Sequence, residues 1–155
     1  MIAMDIRFQY NDGGRAAAGF KGETGDCVTR AAAIAMDRPY AEVYREINEF
    51  AARERKTKRR PTRSSARTGV HKSTTRRYFA AAGWMWTSTM GIGTGCTVHL
   101  RADELPKGRL IVSVSRHIVA VIDGVINDTH DCSRDGTRCV YGYWSKNGND
   151  NESLD

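Results

Sequence analysis

Residues 109–129 read RLIVSVSRHIVAVIDGVINDT, three apolar runs broken once by Ser-Arg and once by Asp-Gly. Val and Ile dominate the runs, and the spacing predicts strands over 109–115, 117–122 and 125–129, with Asp123-Gly124 as a two-residue type I′ hairpin turn. Such a turn sets the register: Ile122 faces Val125, so Ala120 faces Asn127, Val119 faces Asp128 and His117 faces His130. Strand side chains alternate between faces, which puts Asp128 on the His117 face as its diagonal neighbour and Asn127 on the opposite one. A cross-strand diagonal of roughly 7–8 Å is within reach of an Asp–imidazole hydrogen bond.

Working outward, a further strand near Arg138 to Trp144 completes the sheet. Trp84, Trp86, Val98 and Leu100 suggest short strands around the loop Gly91-Ile92-Gly93-Thr94-Gly95. That loop lacks the Lys-Ser/Thr pair of a phosphate cradle and reads as a plain mobile segment. Towards the N terminus, Ile6 to Tyr10 alternates like an edge strand before the turn sequence Asn11 to Arg15. Cys27 to Met36 suits a short, largely buried helix, with alanines at 31, 32, 33 and 35 permitting close packing. A second helix starts at Pro39 and runs to about Arg53 on the stripe Val43, Ile47 and Phe50, and a third spans about Ser73 to Ala82 before Gly83. N-terminal helices followed by a C-terminal antiparallel sheet make an α+β layout.

At 155 residues the chain fits one domain, expected over residues 1–144, with an Asn/Gly/Asp-rich flexible tail at 145–155. The net charge of +6 is concentrated. Residues 55–77 hold ten Lys or Arg and no acid, against fourteen basic and eighteen acidic residues elsewhere. The first part of this stretch, about 54–70, also carries Pro61 and several Ser and Thr, and reads as a flexible, exposed insert. Its Arg55, Lys56, Lys58, Arg59, Arg60, Arg63 and Arg67 are the candidate contacts for a weak, salt-sensitive polyanion association, with a solvated surface as the plainer explanation. Trp84, Trp86, Tyr141, Tyr143 and Trp144 read as core and cleft-rim aromatics, since the basic residues are not interleaved with them along the chain.

No apolar run approaches the roughly 18 residues of a membrane span, and Met1 to Tyr10 lacks a secretory pattern, so the expected location is cytoplasmic with no membrane partner. Four cysteines are too sparse for a stapled scaffold; they read as mostly reduced thiols, with a Cys132–Cys139 bridge left open. The gap between those two is wider than the tight spacing of common zinc sites, so no metal and no cofactor is expected. The composition leaves the oligomeric state open.

Three residues carry the chemistry. Cys27 begins a helix, where free amide N–H groups and the helix dipole favour its thiolate. An imidazole beside it forms a thiolate–imidazolium pair and later returns a proton to the leaving group, and His117 at the start of a strand is the candidate. Asp128 would orient that ring.

With Gly25-Asp26-Cys27-Val28 as the nucleophile segment, Ser115 to Val121 as the base strand and Asn127-Asp128-Thr129 as the orienting strand, the chain resembles papain-like cysteine peptidases and hydrolases. It is similar in particular to small phage and bacterial members of that fold, whose endings look like Val140-Tyr141-Gly142-Tyr143-Trp144. The resemblance covers roughly residues 11–144. It implies a papain-like fold and a thiol-dependent acyl-transfer hydrolase, with Cys27, His117 and Asp128 as the triad and a protein or peptide as substrate. The family places a Gln six residues before the Cys to stabilise the oxyanion; this chain has Lys21 there. Gln9 and Asn11 are the other upstream candidates for that role, and His130 is a candidate second wall of the cleft. Glutamine deamidation and transglutamination use the same acyl-enzyme logic. The alternative from another class is a non-enzymatic nucleic-acid-binding or partner-binding protein on the same scaffold.

Overall fold

The structure is a computed structural model that describes residues 7–22 and 25–146. In chain order its elements are β1 (Arg7–Tyr10), α1 (Cys27–Met36), α2 (Tyr40–Ala51), α3 (Lys72–Ala81), β2 (Trp84–Ser88), β3 (Arg109–Val114), β4 (His117–Ile122), β5 (Val125–Asp128) and β6 (Gly142–Lys146). The architecture is α+β, with the helices packed on one face of a largely antiparallel six-stranded sheet ordered β1-β5-β4-β3-β6-β2.

Asp123 and Gly124 have φ of 49° and 80°, the two left-handed residues that a type I′ turn demands. Ile122 accordingly pairs with Val125 and Ala120 with Asn127, the register read from the Asp-Gly dipeptide. The β3–β4 connection turns through Arg116 at φ 58° and pairs Val114 with His117. His117 therefore opens β4 at the same end of the sheet where Asp128 closes β5.

Apolar alternation divides the core into two layers. On the helical side, the alanines of α1 pack with Val43, Ile47, Phe79, Ile111, Ala120 and Trp144. Their small side chains let α1 lie close to the sheet, and Ala31, Ala32, Ala33 and Ala35 are all buried. On the other face, Leu110, Val112, Val114, Val119, Val121 and Ile126 are covered by Leu100, Leu105, Cys132 and Val140. This second layer comes from irregular segments, 98–107 and 129–141.

Several boundaries differ from expectation. Pro39 stands at the N-cap of α2, which ends at Ala51. Val98 and Leu100 form no strand of their own; the backbone there is held by Leu100 and Val140 N–H groups bonding to Arg138 and Val98 carbonyls. The last strand starts at Gly142, four residues later than the pattern suggested, and carries Ser145 and Lys146, which the sequence placed in the tail. Residues 147–155 of that tail lie outside the described residues. The N-terminal edge strand is present, but β1 runs parallel to β5, a pairing across more than a hundred residues that local pattern does not encode.

The basic insert is two different structures. Residues 55–63 are exposed, as expected. Residues 64–70 are instead fastened to the body: Ala66 is fully buried, its N–H donates to Asn48 Oδ1 (2.9 Å) and its carbonyl accepts from Thr29 Oγ1 (2.7 Å). Glu54 receives hydrogen bonds from Ser64 and Thr74, tying the end of α2 to this loop and to α3. Buried polar groups that must find partners, rather than apolar periodicity, hold the segment in place.

The cysteines also pair differently from the bridge left open above. Cys96 and Cys139 form a disulfide with a Cα–Cα distance of 5.8 Å, while Cys27 and Cys132 are free. The antiparallel bridge between His99 and Cys139 brings the two partners side by side, whereas Cys132 is buried in the second core layer. No described helix is long and apolar enough to cross a membrane.

Candidate active site

Gly25, Asp26 and Cys27 enter α1 through a narrow passage. A β-carbon on Gly25 would stand 2.8 Å from the Thr68 carbonyl oxygen, so only glycine admits the contact by which its N–H donates to the Arg67 carbonyl (2.9 Å). Asp26 is buried at the N-cap position and accepts a hydrogen bond from the Tyr40 hydroxyl (2.6 Å); Arg30, one turn on, and Arg15 pair with it. Held on both sides, Cys27 presents its half-buried sulfur at the first turn of the helix.

The His117 ring has three neighbours. Its Nε2–H donates to Asp128 Oδ2 at 2.7 Å, the sulfurs of Cys27 and Cys132 both lie within its reach, and the Ile118 backbone N–H also donates to the Cys27 sulfur. Asp128 is 3% exposed; its other oxygen accepts from Arg30 Nη2 (3.1 Å) and from the Thr129 N–H (2.7 Å). Asn127 faces away and accepts from Asn11 Nδ2 (3.1 Å). The parity read from the hairpin is thus the observed one.

These contacts set the charges. Burial opposes the thiolate of Cys27, but the His117 hydrogen bond and charge, the Ile118 N–H and the nearby Arg30 outweigh it and lower the thiol pKa below its ordinary value. For His117, burial favours the neutral ring, yet the bonds to Asp128, Cys132 and Cys27 push its pKa up to about 11. Asp128 is likewise desolvated and still drawn down to about 2 by His117, the Thr129 N–H and Arg30. The arrangement favours an anionic sulfur, a cationic ring and an anionic carboxylate, with Arg30 screening the last.

Cys27 and His117 line a cleft of about 740 Å³ between the N terminus of α1, the loop 68–70, α3 and the start of β4, with Asp128 buried behind them. Trp86, Tyr141 and Trp144 form an aromatic wall, with Trp86 and Tyr141 near 40% exposed at its rim and Trp144 seated in the core. Gly142 makes this wall possible: a β-carbon there would lie 2.4 Å from the Trp86 ring. The rings of His117 and His130 are 5.5 Å apart, and the exposed His130 lines the cleft.

Cys132 is the second thiol near this centre. Its sulfur, a His117 nitrogen and an Asp128 oxygen lie within 4.8 Å of one another, a set of ligand types that zinc uses. Two features of the donor set oppose a cation: the 2.7 Å ring–carboxylate bond is closer than neighbouring ligands stand around a metal, and the Arg30 guanidinium already occupies the carboxylate. Cys132 is 3% exposed and does not line the cleft, whereas Cys27 does.

Other residues singled out from the sequence lie elsewhere. Lys21 is exposed and does not line the cleft; its carbonyl accepts from the Arg67 side chain. Gln9 is on the exposed edge strand and Asn11 is bound to Asn127, so neither reaches Cys27. None of the three is among the residues that line the cleft, a matter of the fold that residue type alone does not convey. Arg55, Lys56, Lys58, Arg59, Arg60 and Arg63 are exposed and Arg67 half-buried, and none lines the cleft. The sequence reading missed Arg30, whose signal was its helical spacing of four from Asp26, and Arg116 in the β3–β4 turn, which carried none. Comparison with family models, curated proteins and solved structures finds no match to this chain.

Proposed function

We propose that the protein is a thiol-dependent acyl-transfer hydrolase of the papain-like kind, acting on peptide or isopeptide bonds with Cys27 as nucleophile, His117 as acid and base, and Asp128 as the residue that orients the ring. The observation that carries this reading is the His117 imidazole bonded to the buried Asp128 carboxylate and in reach of the Cys27 sulfur, with Cys27 and His117 both lining an open cleft.

The Cys27 thiolate attacks the carbonyl carbon, and the oxygen takes up the negative charge. The Cys27 backbone N–H, in the first turn of α1 and without a partner among the described residues, is the donor available to that oxygen, a role in which an upstream side chain has no counterpart among the described residues lining the cleft. The tetrahedral adduct collapses as the imidazolium passes its proton to the leaving amine. A water deprotonated by the now neutral ring then hydrolyses the thioester, releasing the acid and restoring the thiolate. Burial of Cys132 supports Cys27 rather than Cys132 in the first step.

A panel of fluorescent electrophilic peptide and ubiquitin-like probes tests the proposal. The protein is expected to take up at least one probe covalently at Cys27, with the adduct absent from C27A and retained in C132A. Attachment at Cys132, or labelling indifferent to C27A, would overturn it.

A further inference from the structure

Charge around the cleft is one-sided. Among the described residues that line it the one carboxylate is Asp26, buried and bound by Arg30 and Tyr40. Against it stand Lys72 and Arg76, four residues apart on the same face of α3, and Arg116 in the β3–β4 turn, all exposed and none within ion-pair distance of a described acid. Three cations with no ion-pair partner among the described residues, gathered at one opening, repel each other and focus an attractive potential for anions. The same cleft carries the wall of Trp86, Tyr141 and Trp144, which suits the apolar part of an extended chain rather than a small ion.

Resting on the hydrolase reading above, we infer that the cleft selects acidic acyl substrates: peptide segments with Asp or Glu within a few residues of the reacting carbonyl, their carboxylates held by Lys72, Arg76 and Arg116 and their apolar atoms laid on the aromatic wall. A nucleic-acid strand would also meet cations and aromatic rings here, but the thiolate at the cleft floor requires an electrophilic carbonyl carbon, which the phosphate backbone lacks. The more strongly basic 55–63 segment does not line this opening.

The test uses three peptidyl vinyl sulfones of matched sequence with Glu, Gln or Lys beside the electrophile. The Cys27 sulfur bonds to the vinyl carbon β to the sulfone, and the carbanion formed beside the sulfone takes the His117 proton, so each reaction leaves one stable adduct, read by intact mass. The Glu probe is expected to react about tenfold faster than the Gln probe at low ionic strength, with the Lys probe slowest, and the spread to shrink to about threefold or less in 0.5 M salt. In K72E/R76E the order of the Glu and Lys probes should reverse. Iodoacetamide, small and neutral, reports the thiol by itself. Equal rates for all three probes, with Cys27 still alkylated by iodoacetamide, would overturn the charge preference while leaving the hydrolase reading intact. If Cys27 were inert to every reagent the hydrolase reading would fall; fluorescence anisotropy with unreactive versions of the same peptides would then decide the charge preference, equal Kd values overturning it. Tighter binding of an oligo-dT strand than of the Glu peptide, abolished by K72E/R76E, would assign the rim to nucleic acid and overturn the proposal as well.

Discussion

Asp128 holds three partners at once, His117 through one oxygen and Arg30 and the Thr129 N–H through the other. A carboxylate so held is restrained from rotating, and it restrains the ring it anchors within reach of the Cys27 sulfur. D128A should therefore slow turnover of a probe-identified substrate at least about tenfold, below the roughly 10⁴ known for the serine triad because the thiolate–imidazolium pair is already favoured without it. N127A removes a bond to Asn11 on the far face and should cost less than about threefold. Steady-state rates of the two folded variants decide; N127A as damaging as D128A would contradict the orienting role. Residue type and parity were enough to separate these neighbours in the sequence, since a one-residue change in register would have exchanged them. Arg30 showed only its local pairing with Asp26, four residues back; its second carboxylate, Asp128, lies 98 residues away.

Each wall of the site is set by one close approach between elements. On β6 the absence of a side chain at Gly142 lets Trp86 of β2 lie across the strand and pack at a tilt of 54° against Trp144, with 4.5 Å between ring centroids. G142A should displace the indole, cost about 1–3 kcal/mol by overpacking, and raise KM for peptide probes more than it lowers kcat. Thermal denaturation with Michaelis–Menten analysis checks both parts, and an unchanged Tm with unchanged KM would count against this account of the wall. Elements with a strong local signal were read close to their true bounds: the Asp-Gly hairpin, the alanine-rich α1, and α3, which begins one residue before its expected start. Elements that depend on distant partners were not. The parallel pairing of β1, the polar fastening of residues 64–70, the choice of Cys139 by Cys96 and the exclusion of Lys21 from the cleft all follow from chain segments that meet only in the fold.

Across the whole molecule the two core layers place charge where the chemistry requires it. The helical layer brings the N terminus of α1 against the start of β4, and the hairpin delivers Asp128 to the same end of the sheet. The thiol pKa lowered by His117 means the thiolate persists to lower pH than in a free cysteine, and removing the ring takes away the largest lowering contributions, leaving burial opposed by the Ile118 N–H and Arg30 alone. The rate of iodoacetamide alkylation at Cys27 as a function of pH, with peptide mapping, tests this most directly. The account predicts a wild-type half-point below the ordinary value of 9.0, a shift to higher pH in H117A, and little label on Cys132 in the folded protein. A half-point at or above 9.0 that H117A leaves unmoved, or label that falls on Cys132 in preference to Cys27, would contradict it.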